Sequence, residues 1–188
     1  TITMEKAPES TRKDVSAAWK NFRNSDDNMG ITSAKTPTSE ATTYEKWFKK
    51  LGSGWGAAPS VQIIVDNSLI VMSANHIYKL DLNTGDILQT GDMVAATNFG
   101  YTPPTYADGM IFAPLADGRV QAFNAETLES LWVYQDTLKG QSLSPITYSD
   151  GYIYTGFWNA ETKDANYVCI PVTDEDPTNT QEAKEAGN

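Results

Sequence analysis

ADGMIFAPLADGRVQAFNAETLESLWVY, residues 107–134, is the stretch from which the fold of this chain is read. Asp108-Gly109 and Asp117-Gly118 bracket an apolar run, and Asp-Gly supplies the positive φ that a two-residue hairpin turn requires. After Asn124 the chain reverses again and closes on Leu131-Trp132. The opening phrase recurs: DGMIF starts at Asp108, DGYIY at Asp150 and an imperfect copy, DNSLI, at Asp66, a period of about 42 residues. A second phrase keeps step with it, since YKLDLNTGDIL from Tyr78 returns as QAFNAETLESLW from Gln121, and Trp47 and Trp132 lie about two periods apart. Several short strands per unit, repeated every 40 to 45 residues, define the blades of a β-propeller rather than a helical solenoid.

The pattern predicts four strands per unit. They fall near 58–65, 69–74, 76–82 and 86–90 in the first unit, with tight turns at Asn75-His76 and Asn83-Thr84-Gly85. In the second they fall near 102–106, 109–115, 118–124 and 129–135. The third offers 144–148, 151–158 and 165–172 and no fourth strand. The expected fold is therefore all-β, an arc of about three blades cut from an incomplete ring, with repeats at about 57–92, 93–136 and 137–173 inside a span of 44–173. Residues 1–43 read as a polar arm with one helical turn near Val15–Phe22, and 174–188 as an acidic polar tail. YEKWFKKLG, 44–52, matches LESLWVYQD in character, so it reads as the closing strand of a blade whose other strands are absent.

Composition narrows the function. Fourteen basic residues against 24 acidic give a formal charge of −10, with no local Lys/Arg cluster, which argues against nucleic acid and against an anionic membrane surface. The longest apolar runs are too short for membrane insertion. The chain opens on polar TITMEKAPES without a leader, and this reads as a mature terminus. Cys169, the one cysteine, has no partner for an internal disulfide, and YVCIPV reads as a buried apolar stretch.

The phrase at 107–134, with Pro104 before it and Trp132 closing it, resembles the quinoprotein-like propeller repeats. That family includes pyrroloquinoline quinone (PQQ) dehydrogenases and the non-catalytic outer-membrane assembly lipoprotein of Gram-negative bacteria. WKNFRNSDDNMGITSAKTP from Trp19 is similar to the Trp-x-x-Phe-Arg lead-in that precedes a first blade in such proteins. The resemblance covers about 19–172 and implies a full ring of about eight blades, completed by the remainder of the same protein or by a second copy. Two positions depart from it: Gln89 stands where the first unit should close with Trp, and Pro171 where the third should have Asp or Asn.

Candidate chemistry is sparse. His76, the one histidine, reads as a surface-turn residue without the orienting neighbours of a catalytic triad. Asp26-Asp27-Asn28-Met29-Gly30 lacks the twelve-residue pattern and terminal Glu of a calcium loop and reads as a polar turn. A PQQ site would need groups that match no positions here, and the adjacent cysteine pair common in those enzymes is absent; no cofactor, metal or catalytic residue is expected. What remains is the set of segments ahead of each first strand, which converge at one end of a propeller channel. Trp55, Phe99, Tyr101, Gln141 and Ser142 are the candidate ligand-binding residues there, suited to protein or carbohydrate, with packing between blades as the competing role for the aromatics. The favoured function is a non-catalytic interaction or scaffold module of a bacterial cell-surface or secreted protein. The alternative is part of a PQQ-dependent alcohol or sugar oxidoreductase.

Overall fold

In the computed structural model, which describes residues 12–52, 57–97 and 102–184, the repeated Asp-Gly pairs are superposable turns. Asp108-Gly109 has φ of 53° and 70°, Asp150-Gly151 48° and 82°, and Asp66-Asn67 49° and 55°. Two consecutive positive φ values match the twist of the flanking strands, and Gly or Asn accepts them at small steric cost.

The strands are β1 Ala17–Trp19, β2 Ile63–Val65, β3 Ser68–Ser73, β4 His76–Asp81, β5 Ile87–Asp92, β6 Thr105–Ala107, β7 Met110–Leu115, β8 Arg119–Asn124, β9 Ser130–Gln135, β10 Thr147–Ser149, β11 Tyr152–Gly156, β12 Tyr167–Pro171 and β13 Glu182–Lys184. They form three sheets in the orders β1-β2-β3-β4-β5, β13-β9-β8-β7-β6 and β10-β11-β12. Within each repeat the pairing is an antiparallel meander, with β2, β6 and β10 as first strands. These first strands lie against one another, β2 with β6 and β6 with β10, which sets them on the inner side of the arc.

The middle sheet is buried on both faces, and the alternation of its side chains fills two cores. Ile111, Ala113, Leu115 and Phe123 meet Ile63, Val65, Ile70, Met72 and Ile77 of the first sheet. Met110, Phe112, Val120, Ala122 and Trp132 meet Ile146, Ile153, Val168 and Ile170 of the third. Trp132 is fully buried, 5.8 Å from Phe112 between ring centroids, and its indole N–H donates to Val172 O at 3.1 Å.

Pro171 explains why the third blade stops at three strands. In the first two blades the residue ending the third strand folds the chain back: Asp81 Oδ1 accepts the N–H of Asn83 (2.7 Å) and Thr84 (2.9 Å), and Asn124 Oδ1 that of Glu126 (2.8 Å) and Thr127 (3.2 Å). Pro171 has no side-chain acceptor. The chain instead crosses back, and β13 pairs with β9 in parallel. This corrects the expectation of a strandless tail: Lys184, 6% exposed, bonds Thr173 O and reaches Glu175 (3.0 Å) and Glu182 (3.6 Å), fixing the returning segment.

Other expectations change as well. Residues 17–19 form β1 instead of a helical turn, because pairing with β2 and burial of Val15 and Ala17 in the first core outweigh a weak local propensity. Residues 44–52 form no strand, although their tryptophan is docked: Trp47 Nε1 donates to Leu82 O at 3.1 Å, and its ring covers Gly85. The turn between β3 and β4 is Ala74-Asn75, so His76 begins β4, its Nδ1 3.0 Å from Asp92 Oδ1. Cys169 is half-buried rather than buried, because it alternates with Val168 and Ile170, which take the face toward the second sheet. Where Gln89 replaces the closing tryptophan, the carbonyl of Ala125 accepts from Lys79 Nζ at 3.4 Å, a lysine 8% exposed.

Candidate functional site

At the inner end of the Asp-Gly turns, first-strand residues meet the N-terminal arm. The arm crosses from the first sheet to the second: Asp66 N–H donates to Ser16 O (2.8 Å) and Tyr106 N–H to Lys20 O (2.7 Å). Val15 N–H donates to the Tyr106 hydroxyl at 2.8 Å, and that hydroxyl donates to Asp14. Arg12 forms an ion pair with Asp174 beyond the arc's second sheet. The arm thus leaves a cleft of about 440 Å³ lined by Asp14, Val15, Ala17, Lys20, Asn24, Asp26, Tyr106, Ala107, Asp108 and Tyr148.

The cleft is acidic and rich in acceptors. Lys20 Nζ lies 2.6 Å from Asp26 Oδ2, so one carboxylate is paired there, and in the turn that follows Met29 N–H donates to Ser25 Oγ at 3.1 Å and Gly30 N–H to Arg23 O at 2.7 Å. Burial, reinforced by the hydrogen bond to Asp14, pushes the Tyr106 phenol up to about 12. Burial, followed by the negative charges of Asp108, Asp150 and Asp26, raises that of Tyr148. Both phenols stay protonated at neutral pH, which leaves hydrogen-bonding groups in place of an activated base or nucleophile. Among the described residues no group of three or more His, Cys, Asp or Glu side chains is placed to hold a metal ion.

Tyr106 therefore predicts an alkaline transition, with Tyr134 beside it in effect, the latter also pushed to about 12, by burial and then by Asp136. A phenol whose folded pKa exceeds its unfolded value favours folding below the unfolded value, near 10, and loses that contribution as pH rises to the folded one. Stability should be level up to about pH 10 and fall between about 10 and 12, and Tyr106→Phe should blunt the fall in a pH series of urea melts.

Of the sequence-derived candidates, two lie among the described residues. Ser142 is buried, its hydroxyl donating to Arg119 O at 3.2 Å while its carbonyl accepts from Thr102 Oγ1 at 3.3 Å. That hydroxyl ties the third repeat to the hairpin of the second. Gln141 is half-buried, bridged through its backbone to Trp158, with N–H to Trp158 O at 2.6 Å and the return bond at 2.9 Å. Trp55, Phe99 and Tyr101 lie outside the described residues. Sequence reasoning missed the cleft residues Asp14, Tyr106 and Tyr148. Their one legible sign was the Tyr two places ahead of an Asp-Gly turn, at Tyr106 and again at Tyr148.

Residues 18–160 match the family described as outer membrane protein assembly factor BamB, and the chain belongs to that family. Among solved structures it is similar to the quinohemoprotein alcohol dehydrogenase ADHIIG from Pseudomonas putida HK5, with 16% identity and a TM-score of 0.64 over 89% of this chain and 26% of that one. It is similar also to the quinohemoprotein alcohol dehydrogenase from Comamonas testosteroni, with 17% identity, a TM-score of 0.57 and the same coverage. BamB from Moraxella catarrhalis aligns at 16% identity and a TM-score of 0.45, over 85% of this chain and 43% of that one. The likeness to the two dehydrogenases is one of fold, and the chain spans about a quarter of their length. No curated protein matches it.

Proposed function

We propose that this chain is a non-catalytic interaction module, a propeller scaffold acting on or outside a bacterial cell and engaging protein partners. The observation that carries this reading is the chemistry of the inner cleft. Its protonated phenols and its carboxylates present hydrogen-bonding groups and negative charge that suit hydrogen-bond donors and cationic groups on a partner. The family's description as an assembly factor supports it, and carries the same class of role and the cell-envelope location to this chain as a proposal. Trp55, Phe99, Tyr101 and Gln141 remain proposed contacts for protein or carbohydrate.

The dehydrogenase likeness supplies the competing reading, a partial barrel of a quinone enzyme, and one titration separates the two. A ligand that binds the folded state raises its stability by mass action, about 2.7 kcal/mol at a hundredfold excess over Kd. Adding PQQ with calcium should leave the melting temperature unchanged and give no dye-linked oxidation of alcohols or sugars. Saturable stabilisation at micromolar PQQ would make the oxidoreductase the better reading.

A further inference from the structure

The third sheet ends on an open strand. Among the described residues β12 has β11 on one side and no strand on the other. The chain does not run out there: residues 172–184 follow, and they leave for the second sheet. Bonds alternate along an antiparallel ladder, and Phe157 N–H to Asn166 O (3.0 Å) and Val172 N–H to Gly151 O (3.0 Å) fix its phase. Val168 and Ile170 therefore turn their N–H and C=O toward β11. Tyr167 and Cys169 turn both groups outward, and Pro171 its carbonyl alone.

At the opposite end of the arc, residues 44–52 are a strand's length of chain outside any sheet. Yet Trp47 docks on the first sheet as Trp132 docks on the third, indole N–H to Leu82 O and to Val172 O, both at 3.1 Å. Leu82 and Val172 each follow the third strand of a blade. Trp132 reaches its carbonyl from β9, a fourth strand, paired opposite Ala122 of β8. Trp47 holds the same position without the sheet that should carry it.

We propose that residues 44–52 of one copy form the fourth strand of the third sheet of a second copy, antiparallel to β12, with Trp47 opposite Cys169. The register follows from equivalence. Ala125 and Val172 each donate N–H to the glycine of their blade's first turn, Gly109 O and Gly151 O at 3.0 Å, so Cys169 corresponds to Ala122, the partner of Trp132. The faces agree as well, since Cys169 looks away from the second sheet and Trp47 looks toward the first sheet of its own copy. So placed, the first sheet of one copy covers the outer face of the third sheet of the other. Phe48, 77% exposed, would then pair with Val168 and extend the second core, and Tyr167, 73% exposed, would be covered.

Charge favours the same partner. The segment carries Lys46, Lys49 and Lys50 against Glu45, while Glu161, Asp164 and Asp176 flank β12 against Lys163; Asp174 and Glu175 are already paired within the copy with Arg12 and Lys184. A two-fold axis would make both junctions identical.

Light scattering on the 188-residue chain tests this, and is expected to give twice the 20.6 kDa chain mass. Cys169, the one cysteine, should react about tenfold more slowly with Ellman's reagent once concentration drives the pairing. Cys169→Pro deletes the outward N–H and spares the bonds to β11, and Trp47→Ala deletes the docking group. Each should yield a monomer that retains its β circular dichroism. A monomer with reactive Cys169 at every concentration overturns the proposal, as does a dimer that survives both substitutions in folded protein. Should either variant fail to fold, the wild-type mass and thiol protection decide alone.

Discussion

Trp132→Ala is expected to lower the stability of the chain by about 4 kcal/mol, a large share of the 5–15 kcal/mol available to a domain. The side chain is fully buried between the second and third sheets, beside Phe112 and among Ile153, Val168 and Ile170. Truncation opens a cavity that rigid sheets close poorly, and it strands the Val172 carbonyl, which the indole N–H satisfies at 3.1 Å. Trp132→Phe separates the two contributions. It keeps most of the apolar contact and loses the bond, so it should cost about 1–3 kcal/mol. A urea melt reads both; a Trp132→Ala loss under about 1 kcal/mol would mean that the third sheet does not depend on this junction. Trp47→Ala should cost less within one copy, because Trp47 is only half-buried.

The strands from β2 to β12 were legible because their signals are local. Asp-Gly turns and alternating apolar residues specify a hairpin without reference to anything distant. What was not legible depends on partners far along the chain. β1 exists because β2 offers an inner edge, and β13 because β9 offers an outer one; neither AAW nor EAK announces a strand. Pro171 was seen as a departure, but its consequence required the knowledge that Asp81 and Asn124 make the reversing turns. Lys79 was invisible, since a lysine in a strand reads as solvent-facing until Ala125 O is found beside its ammonium. Ser142 shows the same limit: ahead of a first strand, a hydroxyl that donates to Arg119 O reads the same in sequence as one free for a ligand.

The junction between the first and second sheets rests on a polar contact where the next junction rests on a tryptophan, and it should be correspondingly sensitive to a different substitution. Gln121 is 1% exposed. Its Oε1 accepts Val94 N–H at 2.9 Å, and its Nε2 donates to Asp92 O at 3.2 Å and to Ser130 Oγ at 2.9 Å. One carboxamide thus fixes the chain leaving β5 against β8 and β9. Gln121→Leu fills similar space and leaves those partners unpaired, each at about 1–3 kcal/mol where water cannot reach; with Asp92 itself exposed, the net loss should be about 2–4 kcal/mol. Gln121→Glu distinguishes lost bonds from lost shape. The carboxylate still accepts from Val94 but presents negative charge to Asp92 O, so burial raises its pKa in the folded state. A raised folded pKa means that the variant is most stable below the unfolded value, near 4.3, and weakens as pH rises through the folded one. Urea melts of Gln121→Glu at about pH 4 and 7 should therefore differ by more than those of the parent, with the acid sample the firmer relative to it. Equal losses for Leu and Glu, with no added pH dependence, would show that the junction needs the shape of Gln121 and not its hydrogen bonds.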